Sequence, residues 1–258
     1  MSKLKDLDHS ARTSGPDQMS LTDHLLTLPT PVPYADALKH PFLISAAEGT
    51  LPHERLGFWL SQDRLYAAHA YPRFIGSLIS AIPYDTSHKI GSPEERLNQR
   101  ILDVLVFSLT NVVREVGFFE ETAKEWGLRI EGWKERKGTR DYTAEMARVS
   151  KSLEEGLVFL WAMEKVYLDS WIAVHTQLSS SLDTIPPTPT RSALLSLSGN
   201  WSNSEFKAFV DTLAGIVNDS GIMPGSASWR RAEEVWARVV ELEAAFWPEN
   251  GEESSMLS

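Results

Sequence analysis

The sequence contains no cysteine among its 258 residues. This excludes a disulfide framework, a thiolate metal site and a thiol nucleophile within the chain. Long apolar runs are also missing, and no stretch approaches the roughly 18 apolar residues that a membrane-spanning helix needs. Basic residues are few beside acidic ones, 25 Lys and Arg against 35 Asp and Glu, so the formal net charge is −10. That excess of negative charge argues against nucleic acid or an anionic membrane as a partner.

The two ends of the chain differ in composition from its centre. Residues 1–20, MSKLKDLDHSARTSGPDQMS, mix charges with Ser, Gly and Pro and lack the apolar core of a signal peptide. We therefore expect a disordered amino-terminal tail and a cytoplasmic protein. Residues 21–248 are expected to form one domain, and residues 249–258 to fray.

Helix patterns recur along the centre of the chain, whereas the alternation typical of half-buried strands is nearly absent. Proline-rich residues 179–192 predict a loop, because Pro186, Pro187 and Pro189 fit neither a helix interior nor a central strand. The composition and periodicity predict an all-α, single-domain bundle of seven or more helices. Capping residues predict helices over 50–74, 92–127, 141–178 with a break near Ser152, 202–221 and 228–247.

Three acidic residues occupy positions on apolar helix stripes where a leucine would be expected. Asp63, Glu164 and Glu243 each fall at i, i+3, i+4 spacing among aromatic and aliphatic residues, on three different helices. A single such acid is ordinarily a boundary residue or an arginine partner. Because an unpaired buried carboxylate costs several kcal/mol or takes up a proton, three of them suggest a shared pocket with a chemical task.

A di-metal site is the first alternative, since carboxylates on bundle helices also bind iron or manganese. Such sites use acid-x-x-His pairs that project into the core. The pairs in this sequence, Asp6/His9 and Asp85/His88, fall in the tail and in a predicted loop. We therefore expect no metal and no other cofactor.

The segment from His40 to Tyr71, HPFLISAAEGTLPHERLGFWLSQDRLYAAHAY, resembles the amino-terminal signature of the TenA/thiaminase II family. That signature combines a His-Pro-Phe segment, a Gly-Thr-Leu-Pro turn and a helix with Gln-Asp-x-x-Tyr. The resemblance extends from about Tyr34 to Trp247. It implies a heme-oxygenase-like helical fold without heme, hydrolysis of aminopyrimidines in thiamin salvage, and a symmetric homodimer or homotetramer.

The resemblance also assigns site residues. The family's Asp and Tyr on the second helix match Asp63 and Tyr66, and a pocket tyrosine matches Tyr142. A glutamate four residues before a Trp matches Glu243. Two positions depart from the common pattern: Glu164 aligns with the nucleophilic cysteine of many members, and Trp201 aligns with a second pocket tyrosine.

These assignments predict a hydrolase that uses water instead of a thiol. The pyrimidine would lie against Tyr66, Tyr142 and Trp201, with Asp63 accepting hydrogen bonds from its amine or ring nitrogen. Glu164, with a pKa raised by apolar surroundings, would be the general base, and Glu243 would protonate the departing amine. Two alternatives stay open: the pocket serves another small molecule in biosynthesis or ligand binding, or the chain is a non-catalytic interaction protein.

Overall fold

A computed structural model describes residues 19–180 and 186–258 of the chain. Within these ranges the protein is helical, with no strand and one isolated β-bridge, between Trp133 and Leu257. This confirms the predicted all-α class. The described residues form the α-helices α1 (Leu21–Thr27), α2 (Tyr34–Leu38), α3 (Pro41–Glu48), α4 (His53–Leu65), α5 (Tyr71–Ser80), α6 (Pro93–Trp126), α7 (Lys137–Val149), α8 (Leu153–Ser180), α9 (Pro189–Asn200), α10 (Ser204–Asp219) and α11 (Ala227–Phe246).

Helix α8 forms the centre of the bundle. It packs against α2, α3, α5, α7, α9, α10 and α11. Every residue from Gly156 to Glu164 is buried, so this part of the helix is covered on all sides. A helix enclosed in this way is expected to be apolar all round, and Glu164 is the charged residue within that buried run.

A single π-helical turn, Tyr66–Ala70, joins α4 to α5. The sequence predicted one regular helix here, ending at Phe74, whereas the structure continues to Ser80 through this wider turn. A π-turn inserts an extra residue, so side chains five apart come to one face. As a result, both Tyr66 and Tyr71 face the same cavity.

Helix α7 begins at Lys137, four residues earlier than the sequence suggested. Gly138 and Thr139 are weak helix formers, but Gln62 of α4 stabilises this end from outside. Its Oε1 accepts hydrogen bonds from the Arg136 backbone N–H at 2.8 Å and from the Thr139 hydroxyl at 2.9 Å. The cap is therefore tertiary, and no local pattern could have shown it.

Other predicted boundaries are near the observed ones. Helix α6 has the expected Ser92 cap and ends at Trp126, followed by Gly127 as a C-cap in the left-handed conformation. The helix break before α8 is confirmed.

The predicted loop over 179–192 is wrong at its carboxyl end, because Pro189 is the first residue of α9, where a proline needs no N–H partner. Residues 181–185 of that loop lie outside the described residues. The last two helices are capped by Asn203 and Ser226, within two residues of the predicted caps.

The carboxyl terminus is folded onto the bundle, contrary to the expected fraying of 249–258. Residues Glu252–Ser255 form a 3-10 turn. The buried Arg55 holds Glu253 through two hydrogen bonds of 2.8 and 3.0 Å, and the buried Arg136 holds Glu252 through two of 2.7 Å. These paired contacts from two different parts of the chain explain why a polar tail is ordered.

At the other end, the predicted tail over 1–20 lies almost entirely outside the described residues, and Ser20 already caps α1. No helix in the described part of the chain is long and apolar enough to cross a membrane.

Candidate active site

One cavity in the bundle brings together all six residues singled out by the sequence. The space that the lining side chains leave free of protein atoms, including the opening to solvent, is about 540 Å³. The six come from six parts of the chain: Asp63 from α4, Tyr66 from the π-turn, Tyr142 from α7, Glu164 from α8, Trp201 after α9, and Glu243 from α11.

Asp63 is buried at the carboxyl end of α4, with 5% of its surface exposed. Its Oδ2 accepts a hydrogen bond of 2.9 Å from the Tyr167 hydroxyl. Tyr167 lies one turn beyond Glu164 on the same apolar stripe of α8, and the sequence alone assigned it no role. Burial, followed by the neighbouring Glu115, raises the pKa of Asp63 well above its usual range.

Glu164 is paired with Tyr71, which sequence reasoning missed. The Tyr71 hydroxyl donates a hydrogen bond of 2.7 Å to Glu164 Oε1. In a regular α-helix Tyr71 would point well away from Tyr66, and the π-turn brings them together. Burial raises the pKa of Glu164 to about 8, and the tyrosine hydrogen bond opposes the shift.

Glu243 is paired with Tyr142 across α11 and α7. The tyrosine hydroxyl donates a hydrogen bond of 2.6 Å to Oε1 of Glu243. The other oxygen, Oε2, is buried without a hydrogen-bond partner among the described residues. Burial raises the pKa of Glu243 to about 8. A buried acceptor with no protein donor is a place where a ligand, or the carboxyl's own proton, satisfies the group.

A glycine lets the two helices that carry this pair come into contact. A Cβ at Gly138 would lie 2.4 Å from the backbone oxygen of Ala245, two residues after Glu243. Real atoms do not approach so closely, so α7 can pack this tightly on α11 only where the side chain is absent. Tyr142, one turn after Gly138, is thereby brought within reach of Glu243.

A fourth carboxylate, Glu115 of α6, also lines the cavity and was not predicted. It is half-buried, and its Oε1 accepts hydrogen bonds from the Trp201 indole N–H and, at 3.4 Å, from the Asn200 amide. The same i, i+3, i+4 spacing that identified the other three acids would also have identified Glu115. Buried α6 residues occur at i+3 and i+4 spacing through Leu105, Ser108, Val112 and Phe119, and Glu115 occupies the gap in that series.

Trp201 has two roles in the wall of the cavity. Its N–H holds Glu115, while its ring lies against Tyr167, Trp171 and Trp59, with centroid distances of 5.1, 5.1 and 6.0 Å. The indole N–H of Trp59, Trp171, Trp236 and Trp247 is buried without a partner in the described structure, so those rings serve packing. Of the nine tryptophans, Trp201 is the one that lines the cavity formed by the described residues.

Tyr66 and Met163 complete the wall between the acids. The Tyr66 ring lies edge-on to Tyr142, with 5.4 Å between centroids, and its hydroxyl is 3.2 Å from the Met163 sulfur. Met163 immediately precedes Glu164 on α8, and both residues line the cavity. The thioether accepts only a weak hydrogen bond, so the Tyr66 hydroxyl is available to a ligand.

The four carboxylates that line the cavity form no ion pairs with the described residues. In the described ranges, none of Asp63, Glu115, Glu164 and Glu243 takes part in an ion pair. Burial raises the pKa of each, that of Glu115 to about 7. Like charges in one dry site cannot all persist, so near neutral pH some of these groups carry protons. The cavity therefore holds both proton donors and proton acceptors.

The alternative of a metal site gains nothing from the geometry. Over the residues that the structure describes, no group of three or more His, Asp or Glu side chains is arranged to hold a metal ion. Between α5 and α6, Asp85 is exposed and His88 is half-buried, and Asp6 and His9 lie outside the described residues.

The raised carboxyl pKa values predict that the ligand-free protein loses stability as pH rises. Between pH 6 and 8, folded Glu243 keeps a proton that the unfolded chain has released, so stability falls through this range. For a folded pKa of about 8, this group alone accounts for about 2 kcal/mol. Denaturant unfolding at pH 6 and 8 should show that loss, and Glu243→Gln should reduce it by that amount. The exposed Glu121 provides a charge-matched control in Glu121→Gln; equal pH dependence in all three proteins would contradict the prediction.

Two known proteins are similar in sequence to this chain over most of its length. A protein of Fusarium pseudograminearum named "Probable transcription factor" is 28% identical over 277 aligned positions, which cover 93% of this chain and 54% of that protein. This chain therefore spans about half the length of that relative. A Glycine max protein named "Probable bifunctional TENA-E protein" is 23% identical, with 83% of this chain and 86% of that protein covered.

Among solved structures, a TenA homologue from P. horikoshii OT3 superposes with a TM-score of 0.69 at 20% identity. The match covers 89% of this chain and 97% of the homologue, so the protein has the helical, heme-oxygenase-like fold that the resemblance implied. The model of the TENA/THI-4/PQQC family matches residues 32–253, which include every side chain described around the cavity. The chain belongs to the TENA/THI-4/PQQC family.

Proposed function

We propose that this protein is a C–N hydrolase for a small aminopyrimidine, 4-amino-5-aminomethyl-2-methylpyrimidine or its formyl derivative. The observation that carries the proposal is the cavity in which four carboxylates, without ion pairs to the described residues, meet tyrosines and Trp201. Such a lining favours a flat, basic heterocycle that presents N–H donors. Membership of the family and the likeness to a relative named as a TENA-E protein support this class of substrate.

The pyrimidine ring is placed among Tyr66, Tyr142 and Trp201, where ring faces and edges are available. Asp63 accepts hydrogen bonds from the exocyclic amine or a protonated ring nitrogen. Tyr167 holds one oxygen of Asp63, which leaves the other for the ligand. By stabilising a protonated ring nitrogen, Asp63 draws electron density through the ring away from the carbon that is attacked.

Water is the nucleophile in this proposal, because the chain has no thiol. Glu164 accepts the proton of the attacking water, and its hydrogen bond from Tyr71 orients the carboxylate toward the cavity. We place Glu164 where many relatives use a cysteine. Met163 lines the cavity one residue earlier, but a thioether cannot act as a base at neutral pH.

Glu243 delivers a proton to the departing nitrogen. Its raised pKa of about 8 keeps the carboxyl protonated at neutral pH, and its second oxygen is available to a ligand. In the balanced reaction an oxygen–carbon bond forms and a carbon–nitrogen bond breaks. One proton passes from water to Glu164, and another passes from Glu243 to the leaving group.

The pH profile of kcat/KM distinguishes these two roles. A bell-shaped dependence of kcat/KM on pH, centred near pH 8, is expected, because the reaction requires Glu164 to be ionised and Glu243 to be protonated. Tyr71→Phe removes a hydrogen bond that favours ionised Glu164, so the acidic limb should move to higher pH. Tyr142→Phe does the same to Glu243 and should move the alkaline limb to higher pH.

The two phenylalanine variants are each other's control, because each removes one hydroxyl from the same cavity. Rate measurements from pH 5 to 10 would show which limb responds. If both variants shifted the same limb, or if neither shifted any, the assignment of base and acid would be wrong.

A thermal-shift screen with aminopyrimidines tests the proposal as a whole, since a ligand that binds the folded state raises Tm. Stabilisation by aminopyrimidines that the protein also hydrolyses supports it. Stabilisation only by unrelated small molecules would instead favour a repurposed pocket. No response to any small molecule would favour an interaction protein.

A further inference from the structure

Glu115 is the one cavity carboxylate, among the described residues, without a part in the hydrolysis described above. It faces the cavity from α6, whereas the base and the acid lie on α8 and α11. Its Oε1 is held by Trp201 and Asn200, while its Oε2 accepts no hydrogen bond from any described residue. One oxygen is thus fixed by the protein and the other is left for a ligand.

The position of Glu115 relative to Asp63 restricts what it can contact. Glu115 and Asp63 line the same cavity, and after burial the charge of Glu115 is the next cause of the raised pKa of Asp63. The two rings that hold them, Tyr167 and Trp201, are in edge-on contact at 5.1 Å. A ligand bound by Asp63 therefore lies in the cavity that Glu115 also lines.

We infer that Glu115 binds the amino group that leaves in the reaction, and that it makes the site selective for the amine substrate over the alcohol product. The inference rests on the proposed function. In the aminomethyl pyrimidine the ring amine and the aminomethyl group are on adjacent ring carbons, which matches two carboxylates that line one cavity. The ammonium gives one proton to Glu115 before the carbon–nitrogen bond breaks, so that the nitrogen can accept the proton of Glu243, and Glu164 stays free to accept the proton of water.

The chemical reason is charge. The aminomethyl group carries a proton in neutral water, and its ammonium form needs an anionic partner inside the cavity. Hydrolysis replaces this ammonium with a neutral hydroxyl of similar size. A carboxylate distinguishes the two, because hydrogen bonds that involve a charged group are about twice as strong as neutral ones. Glu115 thereby helps the product to leave.

Trp201 is the residue that makes this possible in the present chain. A tyrosine at this position would present a hydroxyl, whereas the indole presents a single N–H that points at Glu115. The substitution fixes an extra carboxylate in the wall without filling the cavity, because the indole ring packs on Trp171 and Trp59.

Calorimetric binding in a Glu164→Gln background tests the inference without turnover. Three probes are compared: the aminomethyl pyrimidine, its 5-hydroxymethyl analogue and its formyl derivative. The amine should bind at least about 10-fold more tightly than either neutral probe, the ratio expected for one charge-assisted hydrogen bond. Adding Glu115→Gln, which keeps the shape and the Trp201 contact, should bring the three dissociation constants together. Adding Glu121→Gln on the same helix should leave the preference unchanged.

The outcomes separate this inference from the function on which it rests. If the preference for the amine is unchanged by Glu115→Gln, the inference is wrong while the hydrolase proposal stands. The inference is also wrong if Glu115→Gln weakens the binding of all three probes equally. If none of the three binds to the Glu164→Gln protein, the proposed function fails and the inference fails with it.

Discussion

Replacing Glu164 with glutamine is expected to lower kcat for aminopyrimidine hydrolysis by about 10²- to 10⁴-fold, the usual contribution of a positioned general base. The amide keeps the size of the carboxyl and can still accept the Tyr71 hydrogen bond, but it cannot take a proton from water. Binding should therefore be preserved. Steady-state kinetics together with calorimetric Kd values would show a loss in kcat with little change in affinity.

Glu121→Gln is the matched control for this variant, because it removes the same charge from an exposed position on α6. Its kcat should equal that of the wild type. Unchanged turnover in Glu164→Gln would remove Glu164 from the mechanism. A loss of affinity equal to the loss of turnover would instead make it a binding residue.

Replacing Arg136 with methionine is expected to lower the free energy of unfolding by about 3 kcal/mol or more, the cost of breaking a buried ion pair. The guanidinium is 6% exposed and holds both oxygens of Glu252 at 2.7 Å. It also donates to the backbone oxygens of Phe246 at 2.5 Å and of Trp247 at 3.2 Å. Without it the end of α11, three residues beyond Glu243, loses its attachment to the start of α7.

Arg64→Met supplies the comparison for denaturant unfolding, since Arg64 forms an exposed pair with Glu120 at 2.8 Å. A surface pair of this kind contributes up to about 1 kcal/mol, so its loss should be small. Equal destabilisation of the two variants would show that the carboxyl-terminal contacts do not hold the bundle together.

Local patterns in the sequence were sufficient to predict the all-α class and three of the acids of the cavity. Asp63, Glu164 and Glu243 could be identified because a charged residue on an apolar stripe stands out at helical spacing. Glu115 obeys the same rule on α6 but is harder to see, because that helix is long and amphipathic and carries other acids nearby.

Tyr71 and Tyr167 show what local patterns could not predict. The role of Tyr71 depends on the π-turn over Tyr66–Ala70, which changes the periodicity on which the stripe rule relies. Tyr167 was visible as a stripe residue, but its bond to Asp63 joins α8 to α4 and exists only in the folded bundle. The sequence could thus indicate the acids but not the tyrosines that hold them.

The carboxyl terminus illustrates the same limit. Its composition, rich in Glu and Ser, is typical of a frayed end. It is ordered because Arg55 and Arg136, far away in sequence, supply two-point hydrogen bonds to Glu253 and Glu252. Tertiary partners of this kind leave no trace in the local sequence.

The most direct test of the proposed hydrolysis uses the purified protein and measures three releases: ammonia from 4-amino-5-aminomethyl-2-methylpyrimidine, formate or ammonia from its formyl derivative, and the thiazole alcohol from thiamin. We expect release from at least one of the first two and none from thiamin, because a cavity without a thiol nucleophile relies on carboxylates to activate water. Release from none of the three would contradict the proposal, and cleavage of thiamin would show that a nucleophile other than the one proposed is at work.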